Sequence, residues 1–379
     1  MPGRKDYISV VKNGQRCQEQ KRLLLHNLRD LHTKFKDAFS DVKVSLSTFT
    51  RLRPRQCILA GQSGTHNVCV CKIHENMRLK FAALKQELKQ KGIIFELNYR
   101  DTFKDMMCDA ANPDCHLANC ENCPGPSMIA NKLKILLEQN GVSQIQFQQW
   151  TSTDRCELLL NSSSREEFLQ QLIKDLPAVA KHDFLARSQA AYFEEMKRNV
   201  NEGEFIVTLD FSENYTCQVQ DAVQSQHWAN VQATLHPYVV YYKKNNAVKN
   251  ENYVLISENL HHDANAVHLF NTKVIAYLKS KFGQTSIKKV IYFSDGAGSQ
   301  YKNKFNLSNL LQHKTDFNVE AEWNFFATSH GKGACDGIGG TVKRHAFRAS
   351  LQKTLITTPK LLYEWAKVFS NELILIFVR

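Results

Sequence analysis

Three aspartates stand where predicted secondary-structure elements end or begin, and together they could hold divalent cations. Asp210 follows the apolar run Phe205–Leu209, Asp295 follows the run Val290–Ser294, and Asp336 opens a predicted helix. If the two runs are adjacent buried strands, their acids lie side by side at the carboxyl edge of one sheet, and the helix brings in the third acid. Three converging carboxylates repel one another unless cations neutralise them. The pattern therefore predicts a two-metal Mg²⁺ or Mn²⁺ site suited to breaking a phosphodiester bond.

Each of these acids also has a plainer interpretation. A lone aspartate after a strand often caps a turn, as Asp295 could before Gly-Ala-Gly, and Asp336 fits the N-cap position of its helix. Glu322, on a neighbouring predicted strand, is the alternative third acid if Asp336 points away. Two further polar residues could support the metals from outside or line a surface loop: Glu213 and Asn214.

The cysteines are concentrated in one segment, where seven of the eleven lie between Cys57 and Cys123. Clustered cysteines in a reducing compartment indicate metal ligands rather than disulfides. The strongest group has the spacing C-x6-C-x4-C-x2-C within a loop-like, Pro- and Asn-containing stretch, and comprises Cys108, Cys115, Cys120 and Cys123. Four thiolates are the ligand set of a closed, structural zinc site.

A second group precedes the first and is less specific. Cys69, Cys71 and His74 form the pattern C-x-C-x2-H, and Cys57 could supply a fourth ligand. A C-x-C pair with one histidine also occurs without metal, so the sequence leaves this second zinc site undecided.

The excess positive charge lies in the first quarter of the chain. Residues 1–100 contain 20 Lys+Arg against 8 Asp+Glu, and the remaining residues carry 29 of each. Such a basic segment fits double-stranded DNA as a partner, although a solvated basic surface has the same composition. Helical periodicity over residues 19–39 and a second short helix from Ser45 give the outline of a helix-turn-helix-like unit. Three arginines follow as candidate DNA contacts: Arg51, Arg53 and Arg55.

The order of predicted elements indicates an α/β protein (α+β overall). Helices predominate up to about residue 200, including predicted helices over 164–175 and Lys181–Asn199. From Glu204 the order becomes β-β-β-(β)-α-β-α-β-α, which is the arrangement of the ribonuclease-H-like fold, a mixed sheet with flanking helices.

These patterns divide the chain into five segments. We predict a basic helical segment (1–56), a Cys/His-rich zinc-binding module (57–126), a helical linker region (127–202), a ribonuclease-H-like catalytic domain (203–370) and an apolar tail (371–379). The tail is typical of a splicing or frame accident, but a last core strand would have the same composition.

Several blocks also resemble a known class of protein. The segments LDFSENY (209–215), FSDGAGSQYKNKFN (293–306) and NFFATSHGKGACDGIGGTVKR (324–344) resemble catalytic blocks of eukaryotic cut-and-paste DDE/D transposases and of host genes derived from them. The segments LRPRQC…GTHNVCVCKIHEN (52–76) and CENCPG (120–125) are similar to parts of transposon-derived proteins. The resemblance covers roughly residues 20–350 and assigns no superfamily.

The resemblance implies that Asp210, Asp295 and Asp336 are a catalytic DDD triad. It implies nuclear DNA as the substrate, with strand cleavage followed by strand transfer. His330 stands where several of these superfamilies carry a histidine. Candidate DNA contacts near the triad are His330, Lys332, Lys343 and Arg344.

Two functions from different classes remain open. One is an active transposase, which could assemble as a homo-oligomer on DNA; the other is a transposon-derived protein that binds DNA through its zinc-containing N-terminal region without cutting. No nucleotide cofactor is expected, because SDGAGSQYK and GKGACDGIGG match neither phosphate-binding fingerprint. No run approaches the roughly 20 apolar residues of a membrane span, and the start lacks a secretory signal, so we expect an intracellular protein.

Overall fold

The computed structural model describes residues 7–12, 15–24, 28–59, 70–152, 156–217, 231–328, 330–331, 333–370 and 372–379. The chain divides into two compact units, residues 1–70 and 71–379. Among the described helices, none has the length and apolar character that crossing a membrane requires.

The first unit combines short strands with a pair of helices. Its elements are β1 (Tyr7–Lys12), β2 (Gln15–Gln20), β3 (Arg22–Leu24), α1 (Leu28–Ala38), α2 (Leu46–Leu52) and β4 (Cys57–Leu59). Strands β1 and β2 pair antiparallel, and β3 pairs parallel with β4. The predicted helix over 19–39 is therefore wrong in its first part, because residues 19–24 hydrogen-bond to neighbouring strands and only the stripe from Leu28 onward is helical.

The predicted helix pair is present in this unit. Ser45 caps α2, its hydroxyl accepting a hydrogen bond from the amide of Thr48 at 3.2 Å. The helices pack through Phe35 and Phe49, whose rings lie 5.4 Å apart. The side chains of Arg51 and Arg55 are exposed and that of Arg53 is half-buried.

The second unit begins with a helical region. Its elements are α3 (Lys72–Gln90), α4 (Thr102–Met106), α5 (Pro113–His116), α6 (Pro126–Gln139), β5 (Gln144–Ser152), β6 (Cys156–Ser164) and α7 (Arg165–Asn199). One hydrophobic core extends from Met77 to Ala180, so the Cys-rich segment and the helices after it pack together. Strand β6, which the sequence did not predict, forms a hairpin with β5.

A single 35-residue helix, α7, replaces the two helices predicted over 164–175 and 181–199. Ser164 and Glu167 form a capping box at its start. Pro177 lies inside the helix, where proline normally removes a hydrogen bond and costs about 3 kcal/mol. Buried Leu176 and Val179 hold both sides of this position in the core, and their burial offsets that cost.

A seven-stranded mixed sheet forms the rest of the unit. Its strands are β7 (Glu204–Leu209), β8 (Ser212–Thr216), β9 (Gln232–Lys244), β10 (Ala247–Ser257), β11 (Lys289–Ser294), β12 (Glu320–Phe325) and β13 (Leu373–Val378). The order is β12-β11-β7-β9-β10-β13, and β8 pairs with β9. Strands β7, β9 and β10 are antiparallel neighbours, β11 and β12 run parallel to β7, and β13 runs parallel to β10. The mixed sheet with flanking helices predicted from the sequence is confirmed.

Among the described residues, four helices flank the sheet: α8 (Ala264–Phe282), α9 (Lys304–Phe317), α10 (Ala334–Leu351) and α11 (Pro359–Phe369). Helix α8 packs on one face through residues such as Phe270, while α10 and α11 contribute Val342 and Leu362 to a separate core. The apolar tail is a sheet strand, β13, whose Leu375 pairs with Val254. A last core strand, one of the two interpretations left open for the tail, is therefore what the chain forms.

Candidate acid and metal sites

Two of the three aspartates follow adjacent parallel strands at equivalent positions. Strands β11 and β7 pair from Lys289 opposite Glu204 to Phe293 opposite Thr208. Continuing this register by two residues places Asp295 opposite Asp210, and parallel neighbours lie about 4.8 Å apart in the hydrogen-bonding direction. The register thus directs both acids toward the same, carboxyl edge of the sheet.

The third aspartate is carried to this edge by helix α10. Cys335, the residue before Asp336, is 5% exposed, and its thiol lies 3.5 Å from the carbonyl oxygen of Thr208, near the end of β7. Further along α10, a Cβ built on Gly339 would lie 2.5 Å from the hydroxyl oxygen of Ser212 on β8. The start of α10 therefore lies directly against the strand ends that precede and follow Asp210.

Two of these carboxylates also accept hydrogen bonds from nearby backbone amides, as a residue that only caps a turn or a helix does. Asp295 accepts from the amide of Ala297 at 3.1 Å, and Asp336 accepts from the amide of Gly333 at 2.9 Å. Among the described residues, the three aspartates are not a group whose ligand atoms all lie within 4.8 Å of one another. A cation shared by all three acids would require Asp336 to turn away from its helix cap.

Two buried side chains respond to the charges of these acids. Burial raises the pKa of Tyr301 well above its ordinary value, and the charges of Asp210 and Asp295 add to the rise. The Tyr301 hydroxyl, fully buried, lies 3.0 Å from Nε2 of His236. Burial likewise raises the pKa of the Cys335 thiol to about 12, with contributions from Asp210 and Asp336. All three acids thus act on the same small region under the edge of the sheet.

The proposed supporting residues have other partners. Asn214 accepts hydrogen bonds from Thr234 at 3.1 Å and from His262 at 2.9 Å, so it fixes the segment after β10. The side chain of Glu213 is 96% exposed. Glu322 lies in the middle of β12 and pairs with Lys289 at 2.8 Å, away from the end of the strand, so it is a poor substitute for Asp336.

The candidate DNA contacts near the acids are distributed unevenly. Lys343 donates a hydrogen bond to the carbonyl oxygen of Glu213 at 3.2 Å, which holds its side chain against β8. Arg344 is exposed on α10. Lys332 lies outside the described residues. His330 lies in a cluster of cysteine and histidine side chains.

The four cysteines with the strongest spacing come together as predicted. The sulfur atoms of Cys108, Cys115, Cys120 and Cys123 all lie within 4.8 Å of one another. Cys108 is 3.8 Å from both Cys120 and Cys123. Zinc–sulfur bonds of about 2.3 Å place the sulfurs of a tetrahedral site about 3.8 Å apart, so the spacing suits structural zinc.

Turn chemistry shapes the backbone around this group. Asn112 caps the short helix α5, its side chain accepting from the amide of Cys115 at 3.0 Å. Gly125 adopts a φ of 77°, a left-handed conformation that favours glycine, and its amide donates to the carbonyl of Met106. Hydrogen bonds with Cys123 and Cys120 raise the pKa of the Cys108 thiol to about 12. A divalent cation at the centre of the four sulfurs would reverse that shift.

A second cluster contains Cys71 and His74, but not with the partners that the sequence suggested. Their ligand atoms lie within 4.8 Å of those of His182 on α7 and His330 in the loop after β12. Cys57 lies in the first unit, and Cys69 lies outside the described residues, so their suggested roles as ligands stay predictions.

The environment of this cluster favours a thiolate. Burial raises the pKa of Cys71, but the neighbouring imidazoles of His330, His74 and His182 outweigh it and lower the pKa to about 4. The thiol lies 3.3 Å from Nε2 of His182.

His182 is the member of the cluster that the sequence analysis missed. It lies 111 residues from Cys71 in the chain, on a helix whose surrounding sequence contains no second cysteine or close histidine pair. The family resemblance singles out His330, but as a candidate DNA contact rather than a metal ligand. No local spacing links ligands that come from such distant segments, so only the fold could reveal the group.

An open cleft lies at the other end of the sheet. It encloses about 530 Å³ and is lined by Glu204, Lys288, Lys289, Lys314 and Glu320, among others. Charges of both signs line it, and it lies at the amino ends of β7, β11 and β12. Asp210 and Asp295 stand at the opposite, carboxyl ends of β7 and β11.

Comparisons with known proteins divide the chain in three. A family model described as a domain of unknown function (DUF8701) matches residues 189–379, half of the chain. Two other domains of unknown function match earlier segments, DUF8700 over residues 72–180 and DUF8699 over residues 1–61. No curated protein and no solved structure matches.

Proposed function

The chain belongs to the DUF8701 family, and we propose that it is a transposase-like enzyme that cleaves DNA phosphodiester bonds and transfers the strands, with Asp210, Asp295 and Asp336 as the catalytic acids. The observation that carries the proposal is the register of β7 and β11, which sets the first two acids side by side. The contact between Cys335 and Thr208 supports it, because this contact holds the helix that carries Asp336 against β7.

The sheet topology supports a ribonuclease-H-like domain within this proposal. Three antiparallel strands, β7, β9 and β10, are followed by β11 and β12, which lie parallel to β7 on its other side. Helix α8 precedes β11, α9 precedes β12 and α10 follows it. With β8 between β7 and β9, the elements follow the β-β-β-(β)-α-β-α-β-α order on which the sequence-based expectation of this fold depends.

The residues present fit hard divalent cations at the acid edge. Carboxylate oxygens are the preferred ligands of Mg²⁺ and Mn²⁺, and each aspartate that makes a local hydrogen bond does so through one oxygen. When bound, such ions supply Lewis-acid activation of an attacking oxygen and neutralise the leaving oxygen. Asp210 and Asp295 hold them from the sheet, and Asp336 completes the set from α10.

The remaining parts of the proposal concern the substrate. The basic first unit, with Arg51, Arg53 and Arg55, binds the phosphates of double-stranded DNA. In the second unit, exposed Arg344 is a further phosphate contact near the acids. DNA as the substrate places the protein in the nucleus. Recombination chemistry joins two DNA ends, which favours a homo-oligomer on DNA. The four-cysteine zinc site keeps the segment around α5 folded.

A supercoiled plasmid and Mg²⁺ test the enzymatic part. We expect the full chain to convert the plasmid to open circles, and Asp295→Asn to reduce this to the level seen with chelator, because the amide cannot hold a divalent cation as the carboxylate does. Asp316→Asn, which changes an exposed aspartate on α9, is the matched control and should nick like wild type.

A second candidate function is DNA binding without cleavage. The hydrogen bonds of Asp295 and Asp336 to their own neighbouring amides favour it, because these bonds give both acids a purely structural role. Equal nicking by wild type and Asp295→Asn, or none by either, overturns the enzymatic proposal and leaves this one.

DNA affinity tests the binding function by itself. Alanine at Arg51, Arg53 and Arg55 together should lower affinity for duplex DNA. The plot of the logarithm of the DNA-binding constant against the logarithm of the salt concentration should also become less steep, by up to about 3. Each arginine that is removed leaves one phosphate with its counterion, so fewer counterions are released on binding. Lys360→Ala, which removes an exposed cation on α11, is the control. An unchanged salt dependence in the triple variant would place the DNA-binding surface elsewhere.

A further inference from the structure

We propose that Cys71, His74, His182 and His330 form a second structural zinc site, separate from the four-cysteine site, which fastens the loop after β12 to helices α3 and α7. Nothing in the chain's sequence spacing assigns this ligand set. The four residues come from the residue before α3, the first turn of α3, the middle of α7 and the loop before α10.

The ligand atoms have the spacing of a tetrahedral site. The Cys71 sulfur lies 3.3 Å from Nε2 of His182. The three imidazole rings, taken in pairs, all have centroids 5.0 Å apart. Bonds of about 2.3 Å to sulfur and about 2.0 Å to nitrogen place the donors of a tetrahedral zinc about 3.3–3.6 Å apart, so the cluster needs only small adjustments to close on an ion.

One ring nitrogen of the cluster is buried without a partner among the described residues. This atom is Nε2 of His330. A buried polar atom without a partner is costly, so such atoms are rare unless a ligand satisfies them. The position of this nitrogen among one thiol and two other imidazoles points to a metal ion.

A buried carboxylate stands behind the cluster. Asp183 is 1% exposed, and its Oδ1 lies 3.4 Å from Nε2 of His74. Arg100 at 3.0 Å and Arg187 also pair with it. Histidines that bind metals commonly contact a carboxylate through the other side of the ring, which orients the imidazole. Asp183 is therefore a positioning residue for His74.

The donor set points to zinc in a structural role. One thiolate and three imidazoles match the soft and borderline preferences of zinc, while Mg²⁺ prefers oxygen. Four protein ligands complete a tetrahedron and leave no open position for a substrate.

The site joins two parts of the second unit that have separate hydrophobic cores. Cys71, His74 and His182 flank the helical core that begins at Met77, and His330 follows the edge strand of the sheet. His330 is six residues before Asp336, so the loop that leads to the helix of the third acid contains a ligand of the proposed site. This last consequence rests on the proposed function; the zinc site itself does not.

Metal analysis of the full-length protein tests the site. We expect two zinc ions per chain, with X-ray absorption showing five sulfur and three nitrogen ligands shared between them. His182→Gln should retain one zinc with sulfur ligands only. Cys120→Ser should retain one zinc with a mixed environment, and His261→Gln, which changes an exposed histidine, should retain both.

The wild-type measurement keeps the test decisive if a variant fails to fold. One zinc per chain with sulfur ligands alone overturns the second site, as does a folded His182→Gln protein that keeps two ions. Plasmid nicking and zinc content test different proposals. Loss of nicking in Asp295→Asn with both zinc ions in place tests the catalytic acids, whereas loss of one zinc in His182→Gln tests the second zinc site.

Discussion

Gly331 lies directly against Asp295: a Cβ built on Gly331 would stand 3.0 Å from the Cβ of Asp295 and 3.5 Å from its Cα. Gly331 follows His330, so the backbone between the proposed zinc ligand and the third acid crosses the end of β11 at this point. The cluster and the acid edge are therefore connected by one short segment, in which a side chain at position 331 would press on Asp295.

Gly331→Ala should disturb this crossing. The added methyl group would displace the segment or the Asp295 backbone, and overpacking of this kind typically costs about 1–3 kcal/mol. We expect a lower free energy of unfolding in denaturant titrations and, under the proposed function, weaker nicking. Gly298→Ala is the control, since a Cβ there meets nothing within 4 Å. Equal stability of both variants would show that the loop does not press on Asp295.

A second glycine sets the distance between α10 and the sheet. A Cβ on Gly339 would lie 2.8 Å from the Cβ of Ser212 and 3.4 Å from Pro237, whereas one on Gly340 meets nothing within 4 Å. Gly339→Ala should push α10 away and lower the free energy of unfolding by about 1–3 kcal/mol. Gly340→Ala should raise it by up to about 1 kcal/mol, because alanine favours the helix. If denaturant titrations showed that both substitutions change the free energy of unfolding in the same direction, this packing would be contradicted.

The four-cysteine site should contribute to stability through its metal. Cys120→Ser leaves three thiolates and should lose one zinc and lower the melting temperature, because a structural zinc stabilises only the folded chain. Cys156→Ser, which changes an exposed cysteine at the start of β6, should alter neither quantity. Metal content and thermal unfolding measure both effects; a Cys120→Ser protein with unchanged zinc would exclude this residue as a ligand.

The sequence predicted the parts of these sites that depend on local pattern. The four cysteines fall within 16 residues, and turn residues such as Asn112 and Gly125 shape the loop that gathers them. The separation of 85 residues between Asp210 and Asp295 equals the offset of the strand register, and two apolar runs ending in acids were enough to predict the pairing.

The rest depended on tertiary contacts that have no local signal. Leu24 continues the apolar stripe of α1 toward the N-terminus, but it pairs as a strand residue with Leu59, because a partner strand satisfies its backbone groups. Core packing around Pro177 joins two predicted helices into one. His182 and Cys71 meet only because α7 lies along α3, and no spacing rule connects residues 111 positions apart.

Low pH should weaken the ion pair between Glu251 on β10 and Lys281 on α8. Burial raises the pKa of Glu251, but Lys281 at 2.8 Å and the hydroxyls of Tyr242 and Tyr253 outweigh it, so the pKa is lower than usual. A depressed carboxyl pKa stabilises the folded state above the unfolded value of about 4.3, and this contribution disappears as pH falls through the folded value.

A comparison of wild type with Glu251→Gln isolates the contribution of this carboxylate. Protonation of the zinc ligands at low pH affects both proteins equally. At pH 7 the variant should be less stable by about 1 kcal/mol, the scale of a partly exposed ion pair with its hydrogen bonds. The difference should shrink as the pH falls below about 4, because the wild-type carboxyl then becomes neutral like the amide. Denaturant titrations of both proteins across this range measure it, and a constant difference at every pH would show that the charge of Glu251 does not stabilise the fold.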